Sequence, residues 1–222
     1  MSSTIPDSEL IIKHLNEKFK LSSFNCKNSD LNDFLKDDSL IDQNNLISKT
    51  SLCFWKEELV GYFTLTTATI KVENVINTDD YKNKYKYFPA MKIARLAVDS
   101  RFERRGIGKY LLQFALGIAW SISESASCRL VLVDSKKDSI PFYEKYGFRK
   151  AILKHGDKKD DFTPMYRDLL PLILKISSQV EGKGDSTANP VLIHELKSEV
   201  SSTGSSTANI VLLKMDDKEN TS

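Results

Sequence analysis

The 222-residue chain is 28% charged and 41% apolar, the balance of a soluble globular protein, and long enough for one well-buried domain with an appendage. No apolar run approaches the ~18 residues of a membrane span, and Met1 to Asp7 lacks the basic and apolar regions of a signal peptide, so a cytoplasmic protein without membrane contact is expected. The net charge of +2 hides an uneven distribution: residues 81–110 hold nine Lys and Arg against Asp99 and Glu103, a local +7 that leaves −5 for the remainder. That concentration suits a polyanionic partner, a nucleic acid or a phosphorylated cofactor.

In chain order, residues 1–8 read as a disordered N-terminus and Leu10 to Leu15 as a first strand. Asn28 and Ser29 cap a helix with Leu31, Phe34 and Leu35 on one face and Asp30, Asp33, Asp37 and Asp38 on the other. Ser51 to Trp55 and Leu59 to Ile70 flank the polar turn Lys56-Glu57-Glu58 and predict a β-hairpin. Residues 71–89 read as a loop in which Tyr81, Tyr85, Tyr87 and Phe88 interleave with Lys82, Lys84 and Lys86, closed by Pro89. Lysines among aromatic rings can grip phosphates and stack a base; a solvated loop with tyrosines packed beneath gives the same pattern.

Met91 to Val98 is a strand, followed by the turn Arg104-Arg105-Gly106-Ile107-Gly108-Lys109 and a helical pattern from Tyr110 to about Ser121. Arg129 to Asp134 is nearly all apolar, as in a central strand. Ser139 to Lys145 predicts a short helix stopped at Gly147, and Phe148 to Leu153 and Thr163 to Leu169 two last strands. A hairpin and then strand–helix–strand–helix–strand gives an α/β fold, a mixed sheet with one parallel step, bounded at 9–175. Residues 176–222 hold 16 Ser, Thr or Gly and read as a flexible tail. Inside it Ser186-Thr187-Ala188-Asn189-Pro190-Val191-Leu192 recurs imperfectly, 20 residues on, as Ser206-Thr207-Ala208-Asn209-Ile210-Val211-Leu212. The repeat is either a pair of docking motifs or a tandem duplication.

The basic turn carries the chemistry. It joins a strand to a helix, whose first amides have no internal partner and sit at the positive end of the helix dipole; glycines let an anion approach them. A Walker loop is absent, and Leu111 occupies the place of the third glycine in a dinucleotide fingerprint. What remains is close to (Gln/Arg)-x-x-Gly-x-(Gly/Ala), the acyl-CoA pyrophosphate loop, with Glu103 in the first place; an ordinary helix start with a basic N-terminus gives the same string. Cys26, Cys53 and Cys128 are odd in number and widely spaced, and His14, His155 and His194 are not clustered with them, so reduced thiols and no metal site are expected.

Four strings fall in order: Ala94-Arg95-Leu96-Ala97-Val98-Asp99, Arg104 to Lys109, Leu130-Val131-Leu132-Val133, and Pro141-Phe142-Tyr143-Glu144-Lys145-Tyr146-Gly147-Phe148. Together they resemble the GNAT superfamily of acetyl-CoA-dependent N-acetyltransferases, over roughly residues 9–170. Phe24-Asn25-Cys26 through Leu31 to Phe34-Leu35, with Arg95 to Asp99, resembles the branch that contains toxins acetylating aminoacyl-tRNA. The resemblance implies a mostly antiparallel sheet, direct attack of an amine on acetyl-CoA, and a homodimer. It further implies a basic tRNA-binding face and, for the toxin branch, a ribbon-helix-helix antitoxin partner.

By the same resemblance, amides of Leu96, Ala97 and Val98 face the pantetheine arm and the thioester oxygen, and those of Arg105, Gly106, Ile107, Gly108 and Lys109 hold the pyrophosphate. Arg104 and Lys109 supply positive field, while Glu103, where the family has Gln or Arg, is expected to face solvent. Tyr143 is the candidate acid for the CoA thiolate, because a phenol with a pKa of ~10 stays protonated at neutral pH. No general base stands out; Asp99 is expected rather to orient the turn. An α-amine, with a pKa of ~7.7–8.0, needs a base less than a lysine at ~10.4, which favours aminoacyl-tRNA. Arg95, Lys82, Lys84 and Lys86 are then substrate-binding candidates; for Arg95 a pairing with an acidic neighbour is the alternative. A small-molecule or protein amine as acceptor, and a non-catalytic CoA-binding module, are the competing readings.

Overall fold

A computed structural model describes residues 3–153 and 161–171. Strand β1 (Leu10–His14) leads to a helical segment of α1 (Ser29–Asp33), a π-helical turn (Phe34–Asp38) and α2 (Ser39–Asn44). Asn28 caps it, its side chain accepting from the Asp30 amide at 3.1 Å. Strands β2 (Lys49–Trp55) and β3 (Glu58–Lys71) form the predicted hairpin. Its two turn residues, Lys56 and Glu57, both adopt positive φ, the geometry a two-residue hairpin requires.

Next come α3 (Asp79–Lys82), β4 (Tyr87–Val98), α4 (Ile107–Ala126), β5 (Leu130–Lys136), α5 (Ile140–Lys145), β6 (Arg149–Lys150) and β7 (Phe162–Asp168). Their sheet order is β1-β2-β3-β4-β5-β7-β6, antiparallel except for β4 with β5. The expected mixed sheet is therefore present, with two changes. Pro89 does not close a loop but lies inside β4 opposite Thr69; its missing N–H is tolerated because pairing to β5 begins only at Ala90. The strand expected over Phe148 to Leu153 shrinks to two residues, because the chain then turns and the Ile152 amide donates to Asn74 instead.

Helix α4 covers one face of the sheet, burying Leu111, Leu112, Ala115, Leu116 and Ala119 against Phe63, Met91, Ile93, Val131 and Val133. The crossing is tight at Gly61, where a Cβ would lie 2.9 Å from both the Ala97 carbonyl oxygen and Leu111 Cδ1. The opposite face carries two clusters. Phe34 and Leu35 pack with Phe24, Leu52, Tyr62 and Ala97; Val72, Val75 and Phe88 pack with Ala90, Leu130 and Leu132. The leader also differs from expectation: residues 3–8 are placed, and Ile5 is buried in the α4-side core with its amide donating to the Arg105 carbonyl at 3.0 Å. That seat is formed by residues about a hundred positions away, so composition gave no sign of it. The tail repeat, His155 and His194 lie outside the described residues. Cys26, Cys53 and Cys128 are buried free thiols, and no helix among the described residues is long and apolar enough to cross a membrane.

Candidate active site

Strands β4 and β5 pair only from Ala90–Leu130 to Ile93–Val133, yet β4 runs on to Val98 and β5 to Lys136. A bulge at Ala94, between the Thr64–Arg95 and Leu65–Ile93 pairs, bends β4 at that point. The apolar positions record it: Met91 and Ile93 face α4, and then Leu96 and Val98 do. The result is a fork open at the C-terminal ends of the two strands.

The β3–β4 register divides the three residues expected to donate amides there. The Asp99 amide donates to Val60 O at 3.0 Å. Two-residue alternation then turns the backbone groups of Ala97 and Arg95 toward β3, and those of Leu96 and Val98 into the fork. Ala97 thus differs from the expectation, since its N–H belongs to the ladder. Two amides in a fork are suited to an extended ligand and to a developing oxyanion.

At the fork's mouth the chain turns through left-handed residues, Arg104 (φ 60°) and Gly106 (φ 90°), the latter capping α4. The first helical bond runs from the Tyr110 amide to Gly106 O, so the Ile107 and Gly108 amides lie ahead of it at the positive end of a 20-residue helix. An anion fits there. Gly108 looks into the same space, with Val98 and the Phe142 ring about it.

Arg104 is exposed. Arg105 has another use: its guanidinium lies 4.7 Å from the Trp55 ring and donates to Ser3 O, so only its backbone belongs to the anion turn. Glu103 is not simply solvated, for Lys27 pairs with it and offsets the one carboxylate beside the turn. Asp99 is fully buried and accepts from the Asn25 and Arg101 amides and the Arg101 guanidinium. It caps the short 3-10 turn Ser100–Phe102 that precedes the anion turn.

Tyr143, on α5, is buried against Phe142 and Phe148 with ring centroids 5.1 and 5.4 Å away. Burial pushes its phenol up to about 12, so it holds its proton throughout the neutral range. Among the described residues no group of three or more His, Cys, Asp or Glu is gathered for a metal.

The substrate-binding candidates separate. Lys82, Lys84 and Lys86 are exposed before the start of β4, at the end of that strand remote from the anion turn. Beneath them Tyr81 packs on Phe88, with the Arg129 guanidinium against both rings. Arg95 is exposed, stacked 4.7 Å from the Phe34 ring, and donates to Ala94 O rather than to a carboxylate. Sequence reasoning missed the Lys92–Asp134 ion pair, 2.8 Å across the base of the fork; the signal was a carboxylate ending the otherwise apolar run Leu130 to Val133.

Residues 52–150 match the family model for the acetyltransferase (GNAT) domain. This stretch is a GNAT acetyltransferase domain. The fork, the anion turn and α5 all lie inside it, and the enzyme is an N-acetyltransferase. A tRNA-acetylating toxin of Mycobacterium tuberculosis (strain ATCC 25618 / H37Rv) is 25% identical over 140 residues, covering 61% of this chain and 82% of the toxin. Among solved structures, AtaT complexed with acetyl-methionyl-tRNAfMet superposes with a TM-score of 0.67 at 21% identity, covering 75% of this chain and 99% of AtaT. AtaTR bound with AcCoA gives a TM-score of 0.63 at 21% identity, with 76% and 99% covered. These solved structures share the acetyltransferase domain's fold.

Proposed function

We propose that the protein transfers acetyl from acetyl-CoA to the α-amino group of aminoacyl-tRNA. The observation that carries the donor side is the fork itself, with two unpaired β4 amides beside the N-terminus of α4 and the buried, protonated phenol of Tyr143 in the core on the same side of the sheet. Pyrophosphate would rest on the amides from Arg105 to Lys109 in the field of Arg104 and Lys109. The pantetheine arm would lie along β4 with the thioester oxygen on the Leu96 or Val98 amide, a contact typically worth ~3 kcal/mol of barrier. The neutral amine attacks the thioester carbon, the C–S bond breaks, Tyr143 gives its proton to the leaving thiolate, and the proton shed by the acylated nitrogen passes to solvent, from which the Tyr143 phenolate is reprotonated.

The acceptor side is supported by the mycobacterial relative, named for tRNA acetylation, and by AtaT, solved with acetyl-methionyl-tRNAfMet. Arg95, exposed on the sheet face opposite α4, and Lys82, Lys84 and Lys86 are the residues proposed to meet the tRNA. AtaT bound to the C-terminus of the antitoxin AtaR supports a protein inhibitor for this chain too; a ribbon-helix-helix form for it, a homodimer and a cytoplasmic site of action belong to the same proposal. Residues 9–175 form the catalytic unit in this reading and 176–222 its appendage.

The test incubates the protein with labelled acetyl-CoA and bulk aminoacylated tRNA. Label on the aminoacyl group, released with the amino acid by mild alkali, is the expected result. Label entering only free amines or peptides overturns the tRNA acceptor.

A further inference from the structure

We propose that Asp134 is the anchor for the acceptor's amino group, with Lys92 as the positioning residue that fixes its carboxylate. The inference rests on the acetyl-transfer reading of the fork and names a residue that this reading left without a role. Asp134 stands one residue beyond the last β4–β5 pair, Ile93–Val133, so it sits where the two strands part. Leu130 and Leu132 pack on the face opposite α4, while Val131 and Val133 pack under it. Alternation along β5 therefore points Asp134 away from α4. Lys92 follows Ala90 onto that same face.

Tyr143, in the core on the α4 side, and Asp134 consequently stand on opposite faces of the fork. A thioester lying in the fork would have its acid on one side and a carboxylate on the other, the side left for an incoming amine. One oxygen, Oδ2, accepts from Lys92 Nζ at 2.8 Å. Both side chains are only about one-third exposed, 33% for Lys92 and 34% for Asp134. The second oxygen is left for an N–H of the acceptor amine, and a hydrogen bond to a carboxylate is directional as well as strong.

The neighbouring charges narrow the acceptor class. Asp134 is paired with Lys92, and Arg95, past the bulge, lies on the same sheet face over the Phe34 ring. A carboxylate on a face that also carries these two cations suits a ligand whose amine is tied to an anionic framework, as the α-amine of an aminoacyl ester is tied to the phosphates of its RNA. A free polyamine, cationic throughout, would be repelled.

The experiment compares wild type, Asp134→Asn and Asp134→Glu on two acceptors, bulk aminoacylated tRNA and a methionine methyl ester, and measures CoA affinity and the melting temperature separately. Asp134→Asn keeps the volume and removes the charge. Its kcat/KM is expected to fall about ten- to a hundredfold on both acceptors, as for a lost hydrogen bond to a charged group, with most of the loss in the acceptor KM. CoA affinity and melting temperature stay within error, and Asp134→Glu recovers part of the loss. Equal kcat/KM for Asp134→Asn and wild type overturns the proposal, as does a loss that tracks CoA affinity or melting temperature. Turnover of the ester but not of the tRNA, with Asp134→Asn still impaired, removes the tRNA acceptor while leaving Asp134 in place.

Discussion

The amide of Ile5 donates to the carbonyl of Arg105 at 3.0 Å, and the Arg105 side chain returns a hydrogen bond to Ser3 O at 3.1 Å. This two-way clamp ties the first residues of the chain to the turn that caps α4. Arg104 and Gly106, on either side of Arg105, are the left-handed residues of that turn, so the clamp holds the conformation that aims its amides outward. Deleting residues 1–5 removes the hydrogen bonds and the buried Ile5 side chain together. The expected result is a CoA Kd raised roughly tenfold, the equivalent of about 1.4 kcal/mol, with kcat at saturating acetyl-CoA within twofold of wild type. Unchanged CoA affinity by calorimetry would show that the clamp is only a tether.

Two glycines separate binding from folding. Gly61→Ala would put a methyl 2.9 Å from the Ala97 carbonyl oxygen, a backbone atom that cannot swing away, and overpacking of this kind costs about 1–3 kcal/mol. Its melting temperature should fall clearly. Gly108→Ala meets only the Phe142 ring at 3.7 Å and Val98 Cγ2 at 3.8 Å, ordinary contacts, and it replaces a poor helix former with the best. Its melting temperature should hold or rise. The new methyl nevertheless stands at the mouth of the fork, so CoA affinity should drop about tenfold, a loss of ~1.4 kcal/mol. Thermal melts with and without CoA decide both; a Gly108→Ala protein that binds CoA normally would remove Gly108 from the cofactor path.

Much of this arrangement could be read from local sequence. The hairpin turn at Lys56-Glu57, the amphipathic α4 and the stop at Gly147 all depend on residues within a few positions of one another. What escaped depends on contacts between distant segments. Pro89 signals a strand end by itself, and only the pairing with Thr69 keeps it inside β4. The Arg105 side chain, one of two adjacent basic residues in the turn, is drawn away by Trp55, fifty residues earlier, which takes its guanidinium. The window 81–110 sums to a strong positive charge, yet β4 carries its two ends far apart, Lys92 is paired with Asp134, and Arg101 with Asp99 and Glu58. The bulge at Ala94 was recorded in the slip from Met91 and Ile93 to Leu96 and Val98, a one-residue break in alternation that a strand assignment alone passes over.

Asp99 gives the fold an acid-sensitive point beside the turn. Burial alone would raise its carboxyl, but the Arg101 side chain and amide, together with the Asn25 amide, outweigh it and hold the carboxyl below its ordinary value. A carboxyl with a lower pKa in the folded than in the unfolded chain stabilises fully above the unfolded value, ~3.9. That contribution is lost as pH falls through the folded value. Urea unfolding of wild type should therefore show stability declining below about pH 4. Asp99→Asn should be less stable at pH 7, by about 1.5–3 kcal/mol for weakened hydrogen bonds to a charged group, and its curve should be flatter in that acid window. Parallel curves for the two proteins would contradict this role.

Tyr143 offers the most direct test of the chemistry, because its ring and its hydroxyl do separable work. The ring packs edge-on against Phe142 and Phe148, and Phe at this position keeps those contacts. The hydroxyl contributes a proton held by a pKa pushed up to about 12 through burial. Tyr143→Phe should accordingly melt within a degree or two of wild type, as a volume-conserving change does, and bind CoA equally well. Its kcat should fall about 10²–10⁴-fold, the usual contribution of a positioned acid. The pH dependence supplies a second check. A phenol with this pKa stays protonated up to about pH 11, so the wild-type kcat should show no alkaline decline from Tyr143 between pH 7 and 10, and any rise there reflects deprotonation of the acceptor amine. If Tyr143→Phe turns over within twofold of wild type across that range, the thiolate takes its proton from elsewhere and Tyr143 is a core residue only.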